Sequence, residues 1–88
     1  MDIKKDIYKK AHNSSFKNKE SILKSKQCGC FHCGSIFMPS SINEWAKEGT
    51  ALCPFCHIDS IICDNDGFPI TPDFLVEMME EFFNRKKS

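Results

Sequence analysis

Apolar residues recur at helical spacing near the start of the chain. Four of them fall on one side of a 3.6-residue repeat, with lysines on the other side: Ile3, Ile7, Tyr8 and Ala11. This pattern predicts a short amphipathic helix. The polar run 13–15 interrupts it and can cap a second short helix. The apolar residues of that second helix are Phe16, Ile22 and Leu23.

The middle of the chain carries the signals of another helix. Ser41 and Glu44 have the spacing of a reciprocal capping box, and Gly49 lies where the end of a helix favours positive φ. These signals predict a short helix over residues 42–48, with Trp45 facing inward.

The segment after the last Cys-x-x-Cys pair carries strand and turn signals. "IDSIIC" predicts a strand, "DNDG" a turn and "FPI" a short return strand, which Pro69 confines to the edge of a sheet. The segment therefore predicts a small β-hairpin.

The chain ends in "TPDFLVEMMEEFFNRKKS", which has the features of a complete helix. Thr71 is suited to the N-cap, Pro72 to the first helical position and Asp73 to the first turn. The last turn is basic, with Arg85, Lys86 and Lys87. A broad apolar face is formed by Phe74, Leu75, Met78, Met79, Phe82 and Phe83. The segment predicts an amphipathic helix.

Together these elements predict a small α+β fold with one domain over residues 1–88. It comprises a lysine-rich helical part (1–27), a zinc-ribbon-like core of two Cys-x-x-Cys knuckles and a short hairpin (28–70), and the C-terminal helix (71–88). Because 88 residues bury only a small apolar core, a stabilising metal or disulfide is expected.

Six cysteines occur in a chain that opens with "MDIKKDIYKK" rather than with the apolar segment of a secretory signal. No uninterrupted apolar run is long enough to cross a bilayer. We therefore expect a cytoplasmic protein with reduced thiols and no membrane association. In such a compartment, paired Cys-x-x-Cys units indicate metal sites rather than cystines.

Two Cys-x-x-Cys pairs have the spacing of a four-cysteine zinc site: Cys30, Cys33, Cys53 and Cys56. Each pair forms a knuckle, and two knuckles direct four sulfurs to one point about 2.3 Å away. The residue after each second cysteine often needs positive φ, which Gly34 adopts without strain and His57 at some cost. We expect one structural Zn²⁺ held by these four cysteines, with His57 as a knuckle residue rather than a ligand.

The remaining cysteines and histidines are expected outside this site. Cys28 can turn toward the same metal, but the two better-spaced pairs already fill four positions, and Cys63 is expected to be a buried apolar residue. His32 is expected to be exposed, and His12 is expected at the surface. A second metal site that uses His12, Cys28 or Cys63 stays open, as does a part for His57.

Four thiolates close the coordination shell of zinc, so the predicted site is structural rather than catalytic. The β-α-β context of a thioredoxin-like motif is missing, and the sequence has no phosphate-binding loop or Ser-His-Asp set. The chain is therefore not expected to be an enzyme. Cys28 is the candidate nucleophile worth naming, but nearby thiolates would raise its pKa and oppose its reactivity.

Charge is distributed unevenly along the chain, although the net charge is zero. Residues 1–27 hold eight lysines and three acidic residues, whereas residues 28–88 hold four basic and nine acidic residues. This asymmetry is typical of an arm that binds nucleic acid or another partner, and at least as often of a solvated helix that lies against an acidic body.

These features predict a non-catalytic, zinc-stabilised binding module. Its partner surface is expected on the lysine-rich N-terminal helix or on the aromatic C-terminal helix, whose Phe and Met residues serve equally well as core. A protein partner is favoured, because the net charge is zero and the chain has a single arginine. The alternatives are weak, sequence-independent nucleic-acid binding through the N-terminal lysines and, less favoured, an enzyme that uses Cys28.

Three segments, "CGCFHC", "INEWAKEGTALCPFCHIDSII" and "GFPITPDFLVEMMEEFF", resemble a widespread family of short, mostly uncharacterised bacterial proteins named only as cytoplasmic proteins. The resemblance covers roughly residues 12–83. It implies a zinc-ribbon-like fold and an intracellular location, and it carries no established activity. His57 departs from the glycine that the family pattern favours at this position, which strains the knuckle but removes no ligand.

Overall fold

The computed structural model of the chain describes residues 3–83, and the side chains of residues 5–83. Three α-helices lie within this range: α1 (Ile3–Asn13), α2 (Lys19–Leu23) and α3 (Pro72–Phe83). Five short strands lie between the helices: β1 (Cys28–Cys30), β2 (Ile36–Phe37), β3 (Trp45–Ala46), β4 (Thr50–Ala51) and β5 (Ile61–Cys63). Helix and strand thus combine in a small α+β fold. Within residues 3–83, no helix combines the length and apolar character needed to cross a bilayer.

The strands form two antiparallel sheets. A three-stranded sheet has the order β2-β1-β5, and β3 and β4 form a separate two-stranded sheet. In the larger sheet, Cys28 lies opposite Phe37 on one side and opposite Cys63 on the other. The central strand β1 is therefore the one that begins the first cysteine knuckle.

The larger sheet separates two clusters of buried side chains, because successive residues of a strand point to opposite faces. One face carries Cys28, Cys30, Ile61 and Cys63, which pack with Ile22 of α2, Ala51 of β4 and Cys53. The other face carries Phe31 and Ile62, which pack with Ala11 of α1 and with Ile70, Phe74, Leu75 and Met78. The predicted metal ligands and the core beneath α3 thus lie on opposite sides of one sheet.

Helix α3 lies directly against the sheet at Gly29. A Cβ atom added there would be 3.0 Å from Leu75 Cδ1, so the absence of a side chain allows this close approach. The predicted N-cap is confirmed, because the Phe74 amide donates to Thr71 Oγ1 at 3.2 Å. Tyr8 of α1 donates to Glu77 of α3 at 2.6 Å and ties the two helices together. The prediction of a C-terminal helix is confirmed as far as Phe83, and its basic end, 84–88, lies outside the described residues.

The two predicted N-terminal helices are confirmed, but the capping of the second is not. Ser14 and Ser15 donate to the carbonyls of Ala11 and His12, so they close α1 instead of capping α2. Of the apolar residues assigned to the second helix, Ile22 is buried and Leu23 is exposed, while Phe16 is exposed and lies before α2 begins.

The helix predicted over residues 42–48 is wrong. Strands β3 and β4 occupy this region as a short hairpin, and Leu52 N–H donates to Glu44 O at 3.1 Å, which extends the pairing. The expected capping box is absent, because no α-helix begins at Ser41, and the Glu44 carboxylate instead lies 2.9 Å from His57 Nδ1. Gly49 has the expected positive φ of 76°, but in the turn of this hairpin. Trp45 is half-buried and packs against the buried cluster that contains Ile22 and Cys53.

The predicted hairpin after the cysteines is also wrong in its pairing. The strand and the turn at Gly67 are present, but β5 pairs with β1, about thirty residues earlier, and "FPI" forms no strand. The long-range pairing buries all three residues of β5, whereas a local partner containing Pro69 offers one fewer amide for the ladder. Ile70 instead packs beneath α3.

Candidate metal centre

The first knuckle follows strand β1 without a break. Cys30 ends the strand, and its N–H donates to Ser35 O at 2.9 Å, while Gly34 N–H donates to Cys30 O at 2.8 Å. His32 N–H points to Cys30 Sγ at 3.4 Å. The turn requires φ of +80° at Gly34, a conformation open to glycine without a steric penalty. These hydrogen bonds fix Cys30 and Cys33 on one side of the turn.

The second knuckle repeats three hydrogen bonds of the first. Cys53 N–H donates to Ile58 O at 3.0 Å, His57 N–H donates to Cys53 O at 2.9 Å, and Phe55 N–H points to Cys53 Sγ at 3.3 Å. The sequence offsets of these partners are the same as in the first knuckle. His57 takes the place of glycine with φ of 66°, as the sequence predicted. The same hydrogen-bond pattern therefore orients both cysteine pairs.

The structure brings together the sulfurs of the four cysteines predicted as ligands. All four Sγ atoms lie within 4.8 Å of one another, and two of the separations, Cys30 to Cys56 and Cys33 to Cys53, are 3.6 Å. A tetrahedron with metal–sulfur bonds of 2.3 Å has sulfur–sulfur edges of about 3.8 Å. The cluster therefore has the size and donor set of a site that can hold one metal ion.

The four thiols differ in exposure and acidity. Burial raises the pKa of the Cys30 and Cys56 thiols above the usual value. At Cys33 burial also acts to raise the pKa, but hydrogen bonding with Ser35 and with the neighbouring thiols outweighs it and lowers the pKa to about 7. Because thiolates, not thiols, bind metal, binding here releases protons.

Asn18 connects the second knuckle to the larger sheet, and the sequence analysis did not identify it. Its side-chain amide donates to Ile61 O of β5 at 2.8 Å, and its oxygen accepts from Ala51 N–H of β4 at 3.0 Å. The residue is 3% exposed. Ala51 lies two residues before Cys53, so Asn18 fixes the strand from which the second knuckle begins. A lone asparagine within "KNKE" gives no signal of this role.

The histidines lie outside the sulfur cluster. The His57 ring is exposed and contacts Glu44. The His12 side chain is exposed, as predicted, and its ring stacks on Phe82 with 4.4 Å between centroids. His32 was expected to be exposed, but it is half-buried, because its ring meets Phe83 edge-on at 4.7 Å.

Cys28 and Cys63 also lie outside the cluster. Both are fully buried, in agreement with the prediction for Cys63. Burial and the neighbouring Cys63 and Asp64 raise the pKa of Cys28 to about 12, and burial is the main cause that raises the pKa of Cys63 to about 11.

Comparisons with protein-family models, with curated proteins and with solved structures found no match to this chain. The resemblance to the family of bacterial cytoplasmic proteins therefore stays a prediction.

Proposed function

We propose that this chain is a non-catalytic, zinc-stabilised module that binds a protein partner in a reducing, cytoplasmic compartment. The observation that supports it is the convergence of four cysteine sulfurs from two matching knuckles. An all-sulfur tetrahedral set is typical of zinc or iron centres among biological metals, and the two Cys-x-x-Cys pairs have the spacing of a zinc site. Four thiolates would leave no position on the metal for water or substrate, which favours a structural role.

The state of Cys28 supports the non-catalytic assignment. A nucleophilic cysteine is partly exposed and has a lowered pKa, so that the thiolate forms at neutral pH. Cys28 is fully buried and its pKa is raised to about 12, mainly by burial. The alternative of an enzyme that uses Cys28 therefore has no support from its surroundings.

The partner surface is proposed on the lysine side of α1. The apolar face of α3 packs against the sheet, so its Phe74, Leu75 and Met78 are core residues. Three lysines of α1 are exposed and form no ion pair among the described residues: Lys5, Lys9 and Lys10. Their charge favours a protein surface rich in carboxylates.

Metal analysis tests the metal assignment. The purified chain is expected to contain one zinc per molecule, and a strong chelator is expected to unfold it, because metal-binding energy in such small sites is folding energy. Cys53→Ser should lose the metal, and Cys28→Ser, at a buried cysteine outside the cluster, is the matched control that should retain it. Iron in place of zinc, or full zinc in Cys53→Ser, would contradict the assignment.

Capture of partners from a host extract tests the binding assignment. Capture should survive nuclease treatment and weaken when Lys9→Glu is introduced, while Lys47→Glu, the same change at another exposed lysine, should have no effect. Loss of capture on nuclease treatment would instead favour the nucleic-acid alternative. Equal capture by both variants would place the binding surface away from α1.

A further inference from the structure

The two cysteines outside the sulfur cluster lie directly opposite each other. Cys28 of β1 and Cys63 of β5 are register partners in the larger sheet. Both side chains are fully buried and lie on the sheet face that also carries Cys30. The sequence did not predict this pairing. It predicted that β5 pairs with the segment "FPI" that follows it, whereas β5 pairs with β1.

The backbone hydrogen bonds define the type of pair. Asp64 N–H donates to Gln27 O, and Phe31 N–H donates to Ser60 O. Hydrogen-bonded and non-hydrogen-bonded pairs alternate along an antiparallel ladder, so Cys28 and Cys63 form a non-hydrogen-bonded pair, in which the Cα atoms are about 4.5 Å apart and the side chains are closest. A disulfide spans Cα separations of about 4.4–6.8 Å. A pair of this type therefore falls at the short end of the Cα separations that a disulfide bridges.

We propose that Cys28 and Cys63 form a redox-sensitive disulfide site, separate from the metal centre, which is reduced in a reducing compartment and closes when a disulfide oxidant is supplied. The reaction is thiol–disulfide exchange with a small disulfide oxidant such as oxidised glutathione. Both thiols are buried, so β1 and β5 must first open locally. One cysteine then attacks the oxidant and releases one glutathione thiol, and the second cysteine displaces the other glutathione. The two cysteines lose two electrons and two protons, one protein S–S bond forms, and the oxidant is reduced to two thiols. In the reduced state, Cys63 Sγ contacts Asp66 Oδ2 at 3.4 Å, so the side chain turns from Asp66 to reach Cys28.

The position of this bond along the chain gives it a consequence. All four cysteines of the cluster lie between residues 28 and 63, so the disulfide encloses the complete metal centre in one covalent loop. The bond holds β1 and β5 in register even when the metal is absent. Closing such a loop removes conformations from the unfolded chain. Oxidation should therefore make the fold more resistant to metal removal.

Peptide mapping of the full chain tests the site. Protein purified with its metal is equilibrated with oxidised glutathione in moderate urea, to open the buried strands, and then returned to buffer. Free thiols are alkylated, and the chain is digested without reduction. The expected result is one Cys28–Cys63 peptide pair, a mass lower by two hydrogen atoms and unchanged metal content. Cys28→Ser and Cys63→Ser should each prevent this mass change.

Two outcomes would overturn the proposal. One is a set of disulfides among the cluster cysteines with loss of metal while Cys28 and Cys63 are alkylated. The other is six free thiols or only glutathione adducts after equilibration. A second measurement uses the wild-type chain alone and so does not depend on how the variants fold. The chelator concentration that unfolds half of the protein should be about tenfold or more higher for the oxidised chain than for the reduced chain. The reason is that the covalent loop restricts the unfolded state. Equal chelator sensitivity of two forms with verified disulfide content would exclude the stabilising role.

Discussion

Replacement of Asn18 by alanine tests how the metal centre is connected to the rest of the fold. The side chain is 3% exposed and forms two hydrogen bonds, one to Ile61 O and one from Ala51 N–H. Alanine removes both partners and leaves a carbonyl and an amide without them in the interior. A buried polar group that loses its partner costs about 1–3 kcal/mol, and two such groups at about 1–2 kcal/mol each give an expected loss of about 2–4 kcal/mol in the free energy of unfolding.

This loss is large for a chain of 88 residues. At about 4–8 °C per kcal/mol for a domain of this size, the melting temperature should fall by about 10–30 °C. The assay is thermal and urea unfolding followed by circular dichroism, at one fixed concentration of free zinc, since metal binding shifts the apparent stability by mass action.

Two further variants separate hydrogen bonding from other effects. Asn13→Ala is the matched control, because Asn13 is exposed at the end of α1, and its change should stay within about 0.5 kcal/mol. Asn18→Asp preserves the volume and the acceptor for Ala51, but it places an oxygen against the Ile61 carbonyl. It should therefore be as destabilising as Asn18→Ala. If Asn18→Asp were fully stable, or if Asn18→Ala behaved like Asn13→Ala, the bridging role would be refuted.

Three other predictions concern the knuckles, a buried thiol and the lysines. Positions 34 and 57 both have positive φ, which glycine adopts without strain. His57→Gly should therefore stabilise the chain by about 0.5–1 kcal/mol, and Gly34→Ala should destabilise it by about 1 kcal/mol. A change of the same sign in the free energy of urea unfolding for both variants would contradict this. Burial raises the pKa of the Cys63 thiol from 9.0 to about 11, so this thiol loses its proton at lower pH in the unfolded chain than in the folded one. Under reducing conditions the free energy of unfolding should therefore fall between pH 9 and about 11. Cys63→Ala should reduce the slope of this fall. Any binding of duplex DNA should be independent of sequence and fall by about tenfold or more between 50 and 200 mM salt; nanomolar binding of one defined site would contradict this.

The features that the sequence predicts well are those set by neighbouring residues. Thr71 caps α3 because its hydroxyl reaches an amide three residues ahead, a contact that depends only on the local chain. The two knuckles depend on turns of five or six residues, and the positive φ at Gly34 and His57 follows from the same local geometry. The convergence of the four sulfurs was predicted from the spacing of the two pairs, which is typical of a four-cysteine zinc site.

The features that the sequence does not predict depend on distant partners. The apolar run "IIC" predicts a strand, but nothing in it indicates that its partner is β1 rather than "FPI". At residues 42–48, capping signals that are sound for an isolated helix are overridden, because Glu44 contacts His57 and its backbone carbonyl pairs with Leu52. Both differences have one physical cause, because in each segment pairing with a distant residue or strand overrides the local signal.

The arrangement of the two sheets predicts that Asn18 and the metal support each other. No backbone ladder joins the β3–β4 hairpin to the larger sheet within the described residues. The sulfur cluster connects them, with Cys30 at the end of β1 and Cys53 just after β4, and Asn18 connects them again through β5 and β4. Because Asn18 holds the second knuckle near the first, Asn18→Ala should weaken zinc affinity although residue 18 supplies no sulfur. By linkage, the destabilisation caused by Asn18→Ala and by chelation should not add. Zinc titration against a competing chelator measures the affinity, and unchanged affinity in a folded Asn18→Ala chain would show that the two connections are independent.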